Sequence, residues 1–171
     1  MAKRGGGGEI LVRFPNAAQM PDDPNTPVFD GKETYTLDDK GRVTVPKRWR
    51  RADGRDEEYH LVPDVHGKCL RVMRRARFLQ FAEEVRERVG SDLNRYRAFM
   101  RNYNSNSIRI ETDKQGRIAI PKGYCETLAL RGAVLMLGCG DLIEVWNPPA
   151  YVANARTELA DYQDLAGGVG L

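Results

Sequence analysis

The chain is 171 residues long and 41% hydrophobic, and its 27 Lys and Arg against 24 Asp and Glu leave a formal net charge of +3. That length and apolar content fit one domain, or two fused half-domains, with enough apolar surface for a core. No apolar run approaches the roughly 18 residues of a membrane span, and Cys69, Cys125 and Cys139 lack paired spacing, which argues against a disulfide framework and for a reducing cytosol.

Residues 1–28 carry Lys3 and Arg4, the run Gly5–Gly8, and Pro15, Pro21, Pro24 and Pro27. This composition predicts a disordered extension. It holds no apolar stretch of a secretory signal. The glycine run follows no strand and precedes no helix, so it reads as a linker rather than a phosphate loop.

A first unit spans 29–90. Asp38-Asp39-Lys40-Gly41 is turn chemistry: the carboxylate accepts backbone N–H groups across the turn, and the glycine supplies the positive φ of a tight reversal. Val43 and Val45 alternate with Arg42 and Thr44 as a half-buried strand that Pro46 ends. A short helix over 47–52 and strands at 59–62 and 69–73 around a turn at 64–67 follow. Phe78, Phe81, Ala82, Val85 and Val89 then form one helical stripe, stopped at Gly90. Residues 91–104 predict a connecting helix, with Leu93, Tyr96, Phe99, Met100 and Tyr103 at helical spacing.

The unit recurs over 105–165. Ile118 and Ile120 alternate with Arg117 and Ala119 after Asp113 and Gly116, and Pro121 closes the strand. A helix over 122–130 and strands at 133–137 and 142–146 around a turn at 138–141 are expected. Asn147 is a good N-cap with Pro148 in the first turn, and Tyr151, Val152, Ala155, Leu159 and Tyr162 make the apolar stripe of a last helix. Residues 166–171 read as a flexible tail.

The two units share a sentence. Residues 38–47 read Asp-Asp-Lys-Gly-Arg-Val-Thr-Val-Pro-Lys and residues 113–122 read Asp-Lys-Gln-Gly-Arg-Ile-Ala-Ile-Pro-Lys, an offset of 75 residues from Asp38 to Asp113. This is an internal duplication. Each copy puts an arginine on a strand directly after a tight loop, with aliphatic neighbours turned the other way. Units too small to bury their own apolar faces bury them against each other, so the halves are expected to share one core.

The positive charge is clustered. Lys40, Arg42, Lys47, Arg48, Arg50 and Arg51 crowd the first turn–strand–helix, and Arg71, Arg74, Arg75 and Arg77 follow. The acids gather elsewhere, at Asp53, Asp56, Glu57, Glu58, Glu83, Glu84 and Glu87. A charge run alone is more often a solvated, salt-bridged surface than a binding face. The duplicated Gly-Arg tips the balance, because paired exposed arginines suit a groove or two phosphates. Affinity is then expected from Lys40, Lys47, Arg48 and Lys114 on phosphates, and specificity from Arg42 and Arg117, with Asp38, Gly41, Asp113 and Gly116 shaping the loops. Lys40 becomes Gln115 in the second copy, so the loops are not equal. His60, His66 and Cys69 have a ligand-like spacing but no fourth ligand, and a structural reading outweighs a metal. Neither metal nor cofactor is expected, and no nucleophile stands beside a base, so an enzyme is the least favoured class.

On these residues the chain resembles the MraZ family of bacterial transcriptional regulators. The resemblance is carried by the stretch from Phe29 to Arg51, the second Asp-x-x-Gly-Arg copy from Asp113, and the ending from Leu137 to Tyr151, and it covers about residues 29–160. One motif alone would also fit AbrB-type or antitoxin DNA-binding modules. The resemblance implies an α+β fold of two tandem swapped-hairpin AbrB-like β modules packed as one pseudo-two-fold domain with peripheral helices. It also implies closed rings of about eight chains, a cytoplasmic, nucleoid-associated protein, and binding to short direct repeats in double-stranded promoter DNA of the division and cell-wall gene cluster, mostly as a repressor. The family's DNA-contacting arginine maps onto Arg42, with Arg117 as its counterpart. Two alternatives stand beside this. One is an antitoxin-like protein whose partner is another protein, bound by helices at 77–89 or 148–165; the other is a scaffold whose basic loops grip acidic protein surface.

Overall fold

A computed structural model of the chain describes residues 26–55 and 57–170. The expectations for residues 1–25, including Lys3, Arg4 and the glycine run, lie outside the described residues. The elements are β1 (Lys32–Thr36), β2 (Arg42–Thr44), a single 3-10 turn (Lys47–Trp49), β3 (Glu58–Pro63), β4 (Leu70–Arg74), α1 (Arg75–Val89), α2 (Leu93–Ser105), β5 (Ile108–Glu111), β6 (Arg117–Ala119), α3 (Lys122–Thr127), β7 (Ala133–Gly138), β8 (Leu142–Trp146) and α4 (Pro148–Gly168). This is an α+β fold. Among the described residues, no helix is long and apolar enough to cross a membrane.

Six strands form one antiparallel sheet in the order β1-β7-β8-β4-β3-β5, and β2 and β6 form a separate two-stranded ribbon. The connectivity crosses between the repeats. β1, from the first, pairs with β7 of the second (Glu33 opposite Met136, Tyr35 opposite Val134). In return β5, from the second, pairs with β3 of the first (Tyr59 opposite Ile110, Leu61 opposite Ile108). The hairpins β3–β4 and β7–β8 meet in the middle through β4 and β8. Charged residues on the two edge strands, Lys32 and Glu33 on one and Arg109 and Glu111 on the other, discourage further pairing.

One core joins the halves. Val43, Val45, Ile118 and Ile120 from the ribbon strands and their ends pack with Tyr59, Leu61, Leu70, Val72, Val134, Met136, Ile143 and Val145 of the sheet. Each such fully buried side chain contributes about 1.5–3 kcal/mol of burial. The ribbon is therefore pinned to the sheet by its inner face, leaving Arg42, Thr44, Arg117 and Ala119 on its outer one.

The expected helix over 47–52 is only a 3-10 turn. Trp49 is fully buried and its indole Nε1 donates to the carbonyl of Asp30 at 3.0 Å, while Arg50 is extended and stops the turn. The helix expected over 122–130 likewise ends at Thr127, and Ala129 turns away with φ +51°. α1 follows its stripe, with Phe78 and Ala82 buried; α2 follows its own only in part, since Leu93 is exposed while Tyr103 stacks on Phe78 with centroids 4.6 Å apart. α4 departs from its stripe. Asn147 caps it by accepting from the Ala150 N–H, and Tyr151 packs edge-on to Trp146, yet Val152, Leu159 and Tyr162 are exposed. α4 also runs to Gly168, past the boundary expected at 165.

Candidate nucleic-acid interface

Both Asp-x-x-Gly-Arg segments fold as the same closed loop. Asp38 Oδ1 accepts from the N–H groups of Lys40 (3.0 Å) and Arg42 (2.8 Å), and Asp113 Oδ1 accepts from those of Gln115 (2.9 Å) and Arg117 (3.0 Å). The Gly41 N–H donates to the Asp38 carbonyl and that of Gly116 to the Asp113 carbonyl, with both glycines at φ +73°. Only glycine holds that conformation without strain. The loops are also cross-braced: Ile120 N–H donates to the Gly41 carbonyl (2.8 Å) and Val45 N–H to the Gly116 carbonyl (3.0 Å). Each loop thus hangs from the strand end of the other repeat.

The arginines are directed by their own aspartates. Arg42 Nε donates to Asp38 Oδ2 at 2.7 Å, and Arg117 Nε to Asp113 Oδ2 at 2.8 Å. Such near-surface pairs add little stability; what they fix is the direction of each guanidinium. Arg117 Nη1 also lies 4.0 Å from Asp38 Oδ2, so the loops meet across the ribbon. Accepting the Arg42 N–H, and then the Arg42 guanidinium, holds the Asp38 carboxyl below its ordinary 3.8; the Arg117 N–H and guanidinium do the same for Asp113.

In the ribbon, Arg42 faces Ala119, Val43 faces Ile118 and Thr44 faces Arg117. One pair lies between those of the two arginines, so their backbones are two residues, roughly 7 Å, apart along the ribbon at about 3.4 Å per residue. A two-stranded ribbon fits a B-DNA major groove about 12 Å wide.

The sequence-derived candidates divide here. Arg42, Arg117, Lys40 and Lys114 come together at the two loops, with both lysines exposed. Lys47 is exposed on the 3-10 turn. Arg48 is turned away and engaged: it pairs with Glu33 at 2.8 Å, donates to the Asp30 carbonyl at 3.0 Å and lies over the Trp49 ring. The run Arg71, Arg74 and Arg77 is not part of a basic face. Arg71 pairs with Asp64 and Glu144, Arg74 with buried Glu57, and Arg77 with Glu84 and Asp141. His60 stacks on Phe78 at 4.0 Å, His66 is exposed and Cys69 is buried beside Leu135 and Trp146. These three do not converge on a metal site.

Arg50, which the sequence places in the basic cluster without a role of its own, reaches the second loop. The side chain of Arg50 lies directly on Gly116: a Cβ there would fall 2.6 Å from its Cζ and 2.8 Å from its Cδ. Beyond its place in the basic cluster, the signal for it is a break in the duplication, because the position 75 residues on is Cys125.

The family model described as "MraZ protein, putative antitoxin-like" matches residues 28–102 and 105–161, one segment for each repeat. The chain is also similar to proteins named transcriptional regulator MraZ. The one from Finegoldia magna is 28% identical over 142 residues, covering 83% of this chain and 96% of that protein. The one from Syntrophobacter fumaroxidans is 30% identical over 148 residues, covering 85% and 98%. The one from Legionella pneumophila strain Corby is 28% identical over 144 residues, covering 83% and 94%.

Proposed function

The chain belongs to the MraZ family, and on that premise we propose that it is a sequence-specific, non-enzymatic DNA-binding transcriptional regulator that reads short promoter repeats through its two Asp-x-x-Gly-Arg loops. The observation that carries the reading is the ribbon's outer face, where Arg42 and Arg117 are each held at Nε by the aspartate four residues before them. Arginine donating in pairs to guanine O6 and N7 is the commonest specific major-groove contact. Lys40, Lys114 and Lys47 supply phosphate neutralisation around it; Arg48 is left with a minor part, since Glu33 already holds it.

The finer fold assignment belongs to the same reading. The exchange of β1 and β5 between repeats supports two tandem swapped-hairpin AbrB-like modules related by a pseudo-two-fold axis through the ribbon. Assembly into a ring of about eight chains would present many loops to repeated boxes, so that avidity rather than one tight module sets the affinity. The target is the promoter of the division and cell-wall cluster, including the protein's own, with repression as the outcome and the nucleoid as the location.

Fluorescence anisotropy against the DNA upstream of its own gene and against a scrambled duplex, at low and physiological salt, tests this. Tight binding to the first alone, lost in Arg42→Ala at unchanged oligomer size, is expected. Equal, weak, salt-labile binding to both would leave only a basic surface.

A second reading has one observation behind it. Val152, Leu159, Tyr162 and Leu165 of α4 are exposed, and an antitoxin-like protein would dock a protein partner there. A partner that co-purifies and is released by Leu159→Glu, with DNA binding equal on both duplexes, would favour it over the regulator.

A further inference from the structure

We propose that Arg50, supplied by the first repeat, is a DNA-backbone contact of the second loop, so that the second loop is the main electrostatic anchor of the interface. The inference rests on the regulator reading above and adds to it a residue outside the duplicated motif.

Arg50 ends the 3-10 turn after β2 with an extended backbone, and its side chain crosses to the other repeat to lie on Gly116. Its Nε is buried and has no hydrogen-bond partner. Among the described residues, no carboxylate lies within ion-pair distance of its guanidinium. This contrasts with its neighbours, since Arg48 is held by Glu33 and Arg51 by Asp53. An arginine kept partly out of water beside a ligand-facing loop, without a counter-charge, is what a site for an incoming anion requires.

The duplication shows that this is peculiar to one loop. The counterpart of Arg50 is Cys125, whose Sγ lies 3.8 Å from where a Cβ on Gly41 would stand. Within the first loop itself Asp38 and Asp39 balance Lys40 and Arg42, with Lys122 and Arg131 across the adjoining cleft. Within the second, Lys114 and Arg117 outnumber Asp113, and Arg50 lies directly on the loop's own glycine. Two loops of one shape thus carry different charge. Arg50 stands outside the ribbon strands, and a side chain that flanks a base-reading ribbon meets phosphates rather than base edges. It therefore adds affinity that is indifferent to sequence and falls with salt.

The test is anisotropy of the full chain on the promoter duplex and on the scrambled duplex across a salt series, with thermal unfolding as the folding control. Removing one phosphate contact lowers the slope of log affinity against log salt by about one. Arg50→Gln is expected to lose that amount on both duplexes, with their affinity ratio unchanged, while Arg50→Lys and the exposed control Arg156→Gln on α4 keep the wild-type slope. If Arg50→Gln does not fold, Arg50→Met gives the same reading with an unbranched apolar chain in the buried stem. A wild-type slope in a folded neutral variant, with Arg117→Ala still losing promoter binding, would overturn the role of Arg50 and leave the loop reading standing. Wild-type protein that binds neither duplex would overturn both.

Discussion

The two Asp-x-x-Gly-Arg loops are the same backbone with different surroundings. Their aspartates accept the same pair of N–H groups, their glycines share φ +73°, and each is braced by the other repeat's strand end. Their flanks differ at every variable position: Asp39, Lys40 and Cys125 around the first, Lys114, Gln115 and Arg50 around the second. The shape depends on residues whose hydrogen bonds close the turn, and those recur in both copies. The charge depends on side chains that no backbone bond requires, and those have diverged.

The sharpest way to break this comparison is to fill each glycine. Alanine in the left-handed region costs about 1–2 kcal/mol at either site. The space differs, however. A Cβ on Gly41 would sit 2.6 Å from the Ile120 carbonyl oxygen, which is backbone and belongs to the residue whose N–H braces the loop. On Gly116 the closest atoms belong to the long side chain of Arg50, which can swing aside. Gly41→Ala is therefore expected to lower stability in urea unfolding clearly more than Gly116→Ala. Gly116→Ala should instead act on DNA affinity by displacing Arg50. Equal losses of stability would mean that Arg50 is as immovable as backbone.

What was legible in the sequence was local. Alternation and turn residues located β2, β6 and the hairpins β3–β4 and β7–β8, and periodicity located α1, α2 and the start of α4. β1 and β5 were missed because each is a short, half-polar edge strand whose partner lies in the other repeat, so nothing nearby in sequence marks it. The same limit governs the site. Arg42 and Arg117 are legible because their aspartates stand four residues before them. Arg48 looked free because Glu33, which holds it, sits on the missed strand β1. Arg71, Arg74 and Arg77 looked like a basic run because Asp64, Glu144, Glu57 and Asp141 reach them only in the fold. Arg50 acts across the ribbon, where no motif extends.

If charge alone separates the loops, it should be transferable. Cys125 borders a cleft of about 560 Å³ lined by Leu37, Asp38, Lys40, Gly41 and Leu130, which is room enough for a longer side chain beside the first loop. Cys125→Arg is expected to steepen the salt dependence of DNA binding by about one phosphate's worth. In the double variant with Arg50→Gln it should restore the wild-type slope. Asp39 is the competing partner in that cleft. A raised melting temperature with an unchanged slope would mean that Asp39 had captured the new guanidinium, and that the acids of the first loop, not only its missing arginine, make it the weaker anchor.

The smallest effect concerns the aspartates, where the loops should behave alike. Both carboxyls are depressed below 3.8, first by a backbone N–H of the following arginine and then by its guanidinium. A depressed folded value means that each carboxylate favours folding fully above pH 3.8, and that this contribution is lost as pH falls through the lower folded value. Acidification below pH 3.8 and through the lower folded value should therefore loosen both loops together, seen as matched titrations of the Asp38 and Asp113 carboxyl carbons by NMR. The functional counterpart can be measured at neutral pH. Asp38→Asn keeps an acceptor for the Lys40 and Arg42 N–H groups but removes the charge that directs Arg42 Nε. Losing a negative charge near the groove raises affinity for any duplex, while a less directed arginine discriminates less, so total binding should rise slightly as the promoter-to-scrambled ratio falls. Asp113→Asn should shift the ratio in the same direction, because direction depends on shape, which the loops share. A ratio unmoved in both variants would mean that the aspartates serve only to close the turns.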